Sequence, residues 1–459
     1  MPGWGVPKRV GVGIGAHAAV TFTNGIGANT VPVPNFTVDF TAMATLADLT
    51  AKGITFARNG IATYWNAAGV LTTVAAGQPR FDYDKYNGTL QPIGLKIEGA
   101  RTNSNRNGNA VGATAGTPGI VPSFWTMTTT INGVTRTMVG SGTTADGIPY
   151  VDVSYAGTPT SAYSITIAPE PISVGVPAAG GETWVNQMWV SLTGTSMAAA
   201  LGVGDLPGTA ITYRSATLTS TLQPFQASRT LTVGATAVYG RLVITVPITV
   251  PVNFTLRIGA CQLEKGGFCT SYIPTTNVAV TRGAEDVKMS GANAAWYSAA
   301  SGSFQVYAWQ YWEEWTYNTD FVLASQDLGG RALGFYDVSQ STMFDGVSQG
   351  WALGPGEVEV MRNLASSWGG ALMRCAIDGN ISTDLPFDGS MGTTPGEITF
   401  GSAGGLTPDA YAYAAIGKVN HWSQTLNPDQ LVAITGASNY SGRSFSNEFN
   451  LDFGNFGKL

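Results

Sequence analysis

The sequence predicts an all-β protein, and three observations carry that prediction. Charged residues make up only 11% of 459 residues, while Gly alone accounts for 59, beside abundant Thr, Ala, Ser and Val. Such a chain is poor in good helix formers and rich in β-branched and turn residues. Short alternating apolar–polar runs recur along it, separated by turn residues at intervals typical of sandwiches. The length allows two or three domains with large cores.

Residues 1–45 read as an extended arm. Val10-Gly11-Val12-Gly13-Ile14-Gly15 alternates apolar residues with Gly but lacks the Gly-Lys-Ser/Thr and strand–helix context of a phosphate loop. A thin strand packed closely on another chain is the better reading. The prolines of Asn29–Asn35 keep that stretch extended and out of a central strand. Residues 46–110 read as a connector of short strands. Ala62–Trp65 and Val70–Val74 flank Asn66-Ala67-Ala68-Gly69 as a hairpin, and Asn87-Gly88 is a second turn signal.

Residues 111–285 read as a first antiparallel sandwich. Its strands are expected at Val134–Met138, Tyr150–Tyr155, Ala162–Ile167, Thr183–Val190, Thr230–Thr232, Arg241–Val246 and Asn253–Leu263. Residues 286–435 read as a second sandwich, with strands at Gly302–Trp309, Ile398–Gly401 and Ala415–Val419. Asp378-Gly379 is its hairpin turn. Asn427, Pro428 and Gln430 make a helix start, as N-cap, first helical residue and capping-box partner. In the tail, 436–459, Phe445, Phe449, Phe453 and Phe456 are spaced 4, 4 and 3 apart, which fits one helical face. Its Gly, Asn and Ser content opposes an isolated helix, so the expectation is ordering against a neighbouring subunit.

Two linked phrases go further. Pro79-Arg80-Phe81-Asp82-Tyr83-Asp84 is followed by Gly94-Leu95-Lys96-Ile97-Glu98-Gly99-Ala100-Arg101-Thr102-Asn103. Gln262-Leu263-Glu264-Lys265-Gly266 is followed by Thr270-Ser271-Tyr272-Ile273-Pro274-Thr275-Thr276 and Val280-Thr281-Arg282. In order and spacing they resemble "PRFDYDP…GLLIEGARTN" and "QLEEGAFATSYIPTTGAAVTR" of bacteriophage virion appendages, the tail-fibre-like or head-fibre-like proteins built from β-sandwiches. The resemblance covers about residues 50 to 285, with a weaker echo to about 435. It implies a structural and host-contact role, attachment to other virion proteins through residues 1–45, and a homotrimer. The first sandwich is loosely similar to jelly-roll carbohydrate-binding modules. The second is similar to concanavalin-like or laminin-G-like lectin domains, which implies host-surface polysaccharide as a partner. This chain departs from the family after Asn103, where Ser104-Asn105-Arg106-Asn107 replaces apolar residues, and at Cys269, which replaces a small residue.

The candidate chemistry is sparse. Net charge is −6 without a Lys/Arg run, which argues against nucleic acid. No stretch has the length of a membrane span, and Met1-Pro2-Gly3-Trp4 opens no apolar signal region. The expected location is therefore the virion, assembled in a host cytoplasm. Cys261, Cys269 and Cys375 form no disulfide framework; Cys261 and Cys269 could meet across a hairpin, but two small buried thiols are the favoured reading. His17 and His421 are far apart, and His421 reads as a structural residue rather than a triad member. Carboxylate pairs that a glycosidase would need are Asp82 with Asp84, Glu313 with Glu314, and Asp384 with Asp388; none carries a mark of catalysis, so no enzyme is expected. No cofactor is expected. Asp378 and Asp388 are the oxygen donors considered for Ca2+, without a diagnostic loop. The family phrases imply that Asp82, Asp84, Glu98, Arg101 and Asn103 form an architectural hydrogen-bonded knot.

The aromatics supply the sequence's best binding candidate. Tyr307, Trp309 and Tyr311 share one side of the Gly302–Trp309 strand region, with Trp312, Trp315 and Tyr317 next, while Phe304, Val306 and Ala308 face the core. An outward aromatic row stacks on sugar faces or buries itself against another surface, and both readings stand. Trp351, Trp368 and Trp422 are its candidate partners.

Overall fold

The structure is a computed structural model that describes residues 30–436 except 86–88, 162, 209, 312–319, 326–330, 338–339, 345–348, 354–359, 388–395 and 403–410. Between 320 and 351 it describes backbone pairing and not side chains. It is all-β, as expected, with antiparallel sheets throughout. No described helix is long and apolar enough to cross a membrane.

The first sandwich packs two sheets face to face. One runs in the order Gln223–Thr230, Thr183–Gly194, Val252–Lys265, Pro149–Gly157, Val134–Thr143, Thr130–Ile131. The other runs Ile211–Ala216, Ala198–Leu206, Ala237–Val246, Tyr163–Ala168, Thr126–Met127. Alternation decides which side chains meet: Val151 and Val153, Ile165 and Ile167, Leu242 and Ile244, and Leu256 and Ile258 all point into one apolar core. Two of these strands carried no strand signal. Ala198–Leu206 is built largely from Ala and Gly, and Ile211–Ala216 is mostly polar at the sheet edge. The strand expected at Thr230–Thr232 is Gln223–Thr230 instead, because the Thr232 amide and hydroxyl are bonded to the buried Asp205 carboxylate.

The second sandwich is assembled from both ends of the chain, which corrects the expected domain boundaries. Residues 30–45 are no free arm: Phe36–Asp39 pairs along Ala414–Trp422, from Phe36 opposite His421 to Asp39 opposite Lys418. Residues 1–29 and 437–459, which hold most of the expected arm and tail, lie outside the described residues. The connector is no separate layer either. Phe81–Asp84 and Gln91–Ile97 extend the same sheet beyond Ala414–Trp422, while Ile54–Ala57 joins the opposite sheet beside Asp286–Ser290. The first sandwich is thus inserted into the second, between Asn103 and Val280. The physical reason is pairing: a lone short strand leaves half its backbone groups unsatisfied, and these strands find partners far along the chain.

Several local readings match. Ala62–Trp65 pairs with Leu71–Val74 around Asn66, whose side chain accepts from the amides of Ala68 and Val70. Asp378 and Gly379 both take positive φ, +46° and +86°, as a tight hairpin turn requires. The helix Pro428–Gly436 carries the expected capping box, with the Gln430 amide donating to Asn427 Oδ1 at 2.9 Å and the Asn427 amide to Gln430 Oε1 at 3.0 Å. The Asn87-Gly88 turn lies outside the described residues.

Gly94 is where the seam between the Gln91–Ile97 and Ala414–Trp422 strands is tightest. Its φ is +115°, and a Cβ there would be driven into the Ile416 carbonyl. Gly94→Ala is therefore expected to destabilise the protein by about 2–4 kcal/mol, read as a lower urea midpoint at unchanged slope; an unchanged midpoint contradicts the close approach.

Candidate functional site

The residues of the two phrases, about 170 positions apart, meet in one buried charge network where the sandwiches join. Arg80, fully buried, lies at 2.8 Å from Glu98 and 2.7 Å from Glu285, and donates to the Thr63 carbonyl at 3.0 Å and the Ser271 hydroxyl at 2.6 Å. Arg282 comes from the far side, at 2.9 Å from the same Glu98 oxygen, and donates to the Gly99 carbonyl. Arg58 reaches Glu285 at 3.4 Å and donates to the carbonyls of Gln78 and Ala75. Glu98 also accepts from the Ser271 amide and hydroxyl at 2.8 and 2.6 Å. Glu285 accepts from the Glu98 amide.

A second knot sits beside the first. Asp82 accepts from Lys96 Nζ at 2.7 Å, from the Tyr311 hydroxyl at 2.5 Å and from the Trp65 amide at 2.7 Å. Asn103, buried, uses both ends of its amide: it donates to the carbonyls of Cys261 and Ile273 and accepts from the amides of Leu263 and Asn105. Gln262 and Glu264 hold the returning segment, Gln262 accepting from the Ile273 amide and Glu264 from the Thr270 amide and hydroxyl. Asp84 is buried at the end of its strand. Arg101 forms no direct ion pair among the described residues: its guanidinium lies over the rings of Tyr413 and Phe268, at 5.1 and 5.7 Å.

Burial and charge compete at each ionisable group. Burial works against the ionised Glu98, but Arg282, Arg80 and Lys96 outweigh it and hold the carboxyl well below its usual range. Burial likewise pulls Arg80 down, and Glu285 and Glu98 more than reverse this. Glu264 is the exception. Burial pushes it up to about 7, and the more distant Arg282 and the Thr270 hydrogen bonds offset this only in part.

Of the residues the sequence singled out for a knot, Asp82, Glu98 and Asn103 take part in these contacts, while Arg58, Arg80, Lys96, Glu264, Arg282 and Glu285 were not singled out. The signal was present: Arg80, Lys96, Glu264 and Arg282 all lie inside the phrases, in a chain with few charges. In the polar run after Asn103, Asn105 and Asn107 are buried and Ser104 and Arg106 half-buried. Asn107 donates to the carbonyls of Val111 and Ser123, and Arg106 grips Glu170 at 2.7 Å.

The predicted aromatic row is not an open platform. Trp309 is 5% exposed and packs with Ile93, Met361 and Ala415, while Tyr307 and Tyr311 are half-buried against the same cluster. Tyr311 is tied to the network through Asp82, with Lys96 Nζ 4.1 Å from its ring centre. The alternation was right, since Phe304, Val306 and Ala308 face the main core, but the other face is also covered within the same chain. Trp368 and Trp422 are buried, Trp368 in the main core and Trp422 under the C-terminal helix. Trp312, Trp315, Tyr317 and the Glu313–Glu314 pair lie outside the described residues.

The remaining candidates have structural partners. His421 is fully buried among Trp296, Phe304, Tyr297 and Trp368, with ring centres 4.7–6.1 Å away, and burial pulls it down to about 3. Asp378 engages Arg362 at 2.5 Å and the Asn363 amide, and Asp384 pairs with Arg374, while Asp388 lies outside the described residues. Cys261, Cys269 and Cys375 are free thiols, the first and last buried and Cys269 half-buried.

No protein-family model matches the chain, and neither does any curated protein sequence. Among solved structures, domain 4 of the extracellular arabinanase AbnA from Geobacillus stearothermophilus, in complex with arabinotriose, is 13% identical, with 33% of this chain and 73% of that one covered and a TM-score of 0.26. The N-terminal cellulose-binding domain of Cellulomonas fimi β-1,4-glucanase C is 19% identical over 32% of this chain and 92% of its own, at 0.17. Trypanosoma rangeli sialidase is 8% identical over 84% and 94%, at 0.26. These similarities go no further than all-β architecture.

Two predictions follow from the charge balance. Arg80→Met removes the partner that Glu98 and Glu285 share, leaving them only Arg282 and Arg58, and is expected to cost about 3–5 kcal/mol, measured by urea denaturation; a loss under about 1 kcal/mol contradicts the network's role. The second concerns pH. Glu264 keeps its proton to about pH 7 when folded and loses it near 4.5 when unfolded, so its contribution to stability declines as pH rises between those values. His421 acts oppositely, its contribution being lost as pH falls from about 6.5 toward 3. Glu264→Gln removes only the first effect. The variant is expected to gain on the wild type by up to about 3 kcal/mol above pH 7, with no difference below pH 4.5, as read from paired melts across pH.

Proposed function

We propose that this chain is a structural protein of a bacteriophage virion: a tail-fibre-like appendage that joins the particle through its N-terminal residues and contacts host-surface glycan. The observation that carries the reading is the convergence of the two phrases. Arg80, Asp82, Glu98, Asn103, Gln262, Glu264, Ser271 and Arg282 are the residues by which the chain resembles those appendages, and they form one buried unit. The similarity therefore follows a folding unit and not scattered matches. A joint of this kind resists bending between the two sandwiches, which suits an appendage that transmits contact to a particle. The scarcity of surface charge supports self-association, and a trimer is the expected state.

The buried Trp309 moves any glycan contact away from the Gly302–Gln310 strand. Trp309→Ala is accordingly expected to lower stability by about 3–5 kcal/mol without a separate effect on glycan binding.

Gold-labelled antibody against this chain, applied to intact virions, tests the placement. Label at the tail tip supports the adsorption fibre. Label confined to the head or neck replaces it with a decoration protein, and no label on virions overturns the virion reading altogether.

A further inference from the structure

The outer face of the Ala198–Leu206 sheet carries a group of side chains that the fold does not require. Gly202 sits between Tyr213 on one neighbouring strand and Arg241 on the other, and Gly204 sits between Ile211 and Tyr239. With no side chain on the central strand, the flanking ones lean inward. A Cβ on Gly202 would stand 2.9 Å from the Tyr213 ring, and one on Gly204 would collide with the Tyr239 ring. Tyr239 is thereby buried as a floor, while Tyr213 stays 44% exposed. Arg241 lies half-buried between them, its guanidinium 5.2 Å from the Tyr213 ring centre and 6.0 Å from that of Tyr239, reaching the Tyr213 hydroxyl.

Arg241 stands over aromatic rings without an anion, as Arg101 does over Tyr413 and Phe268, but on the outer face of a sheet. Arg80, Arg229, Arg257, Arg282 and Arg374 each face a carboxylate. Among the described residues Arg241 faces none, and its Nε is buried without a partner. A guanidinium fork matches a carboxylate in two parallel hydrogen bonds, and an exposed tyrosine ring offers a face for the apolar side of a pyranose. Farther along the same face Ala200 lies between the exposed Ser215 and Val243, and beyond it Ala198 lies beside the exposed Thr245, which is itself opposite the exposed Ser164. With one unpaired cation and an overall charge of −6, the surface suits a single carboxylate in a polyhydroxylated ligand better than a polyphosphate chain.

We propose that this face binds a carboxylate-bearing sugar of a host polysaccharide, with Arg241 holding the carboxylate and Tyr213 stacking on the ring. The proposal deepens the glycan-contact part of the function proposed above and rests on it. It places the contact on the first sandwich, not the second.

The test is titration calorimetry of the full chain with oligogalacturonate and oligosialic acid, with carboxyl-reduced oligogalacturonate, and with a panel of neutral oligosaccharides. The wild type is expected to bind an acidic oligosaccharide at least tenfold more tightly than the neutral ones. Arg241→Gln and Tyr213→Ala should each lose tenfold or more, and Arg241→Lys less. Arg214→Gln, on the same edge strand but the opposite face, controls for net charge and should change affinity less than twofold. Melting curves identify any variant that fails to fold. Equal binding of reduced and acidic sugars, binding of neutral sugars alone, or unaltered binding by folded Arg241→Gln overturns this site while leaving the glycan-contact reading in place. No binding to any sugar overturns both.

Discussion

The structure depends on a cluster of charges that the chain keeps away from water. Arg58, Arg80 and Arg282 converge on Glu98 and Glu285, and Lys96 on Asp82, in a region where each of these side chains is nearly or fully buried. Taking ions out of water is costly, and mutual attraction repays it only when geometry is good and the remaining hydrogen-bonding capacity is met. Here most of that capacity is met by backbone carbonyls, backbone amides and hydroxyls from segments far apart in sequence, while the Nε atoms of Arg80 and Arg282 are buried without a partner. Apolar residues in the same space would hold the parts together but would fix their orientation less strictly. A forked guanidinium accepts few arrangements of its partners.

That constraint explains why the first sandwich, an insertion, is not loosely tethered. The chain leaves the second sandwich through Asn103 and returns through Val280–Arg282, and those two segments pair with each other from Arg101 opposite Arg282 to Asn103 opposite Val280. Glu98 holds Ser271 just before the return, and Asn103 holds Leu263 and Ile273. The hairpin Ala62–Trp65 and Leu71–Val74 leans on the first sandwich, with Trp65 against Trp189 and the Thr63 hydroxyl on the Tyr272 carbonyl. Both covalent crossings between the sandwiches therefore lie beside residues of the charge network.

The aromatic residues divide along the same lines. Those of the second sandwich, Trp309, Trp368 and Trp422, are filled into cores, and His421 is held neutral by the rings around it. Among the described residues, Tyr213 stands open on the first sandwich, over a glycine-bearing strand with no strand signal of its own.

The sequence by itself determined the all-β class, the hairpin turns at Asn66 and Asp378-Gly379, the capping box of Asn427 and Gln430, and the alternation that sends Phe304, Val306 and Ala308 inward. These are local matters: turn chemistry, capping and a period of two act within a few residues. It also marked part of the knot, because Asp82, Glu98 and Asn103 stand in phrases in a chain with few charges. Only the tertiary structure decided that Phe36–Asp39 is an edge strand, that the presumed connector belongs to the second sandwich, and that Trp309 is covered. The same holds for Arg58 and Glu285 closing the network, and for Tyr213 and Arg241 meeting over Gly202. The reason is that sheet pairing joins strands hundreds of residues apart, so which face is covered depends on partners that no local pattern names.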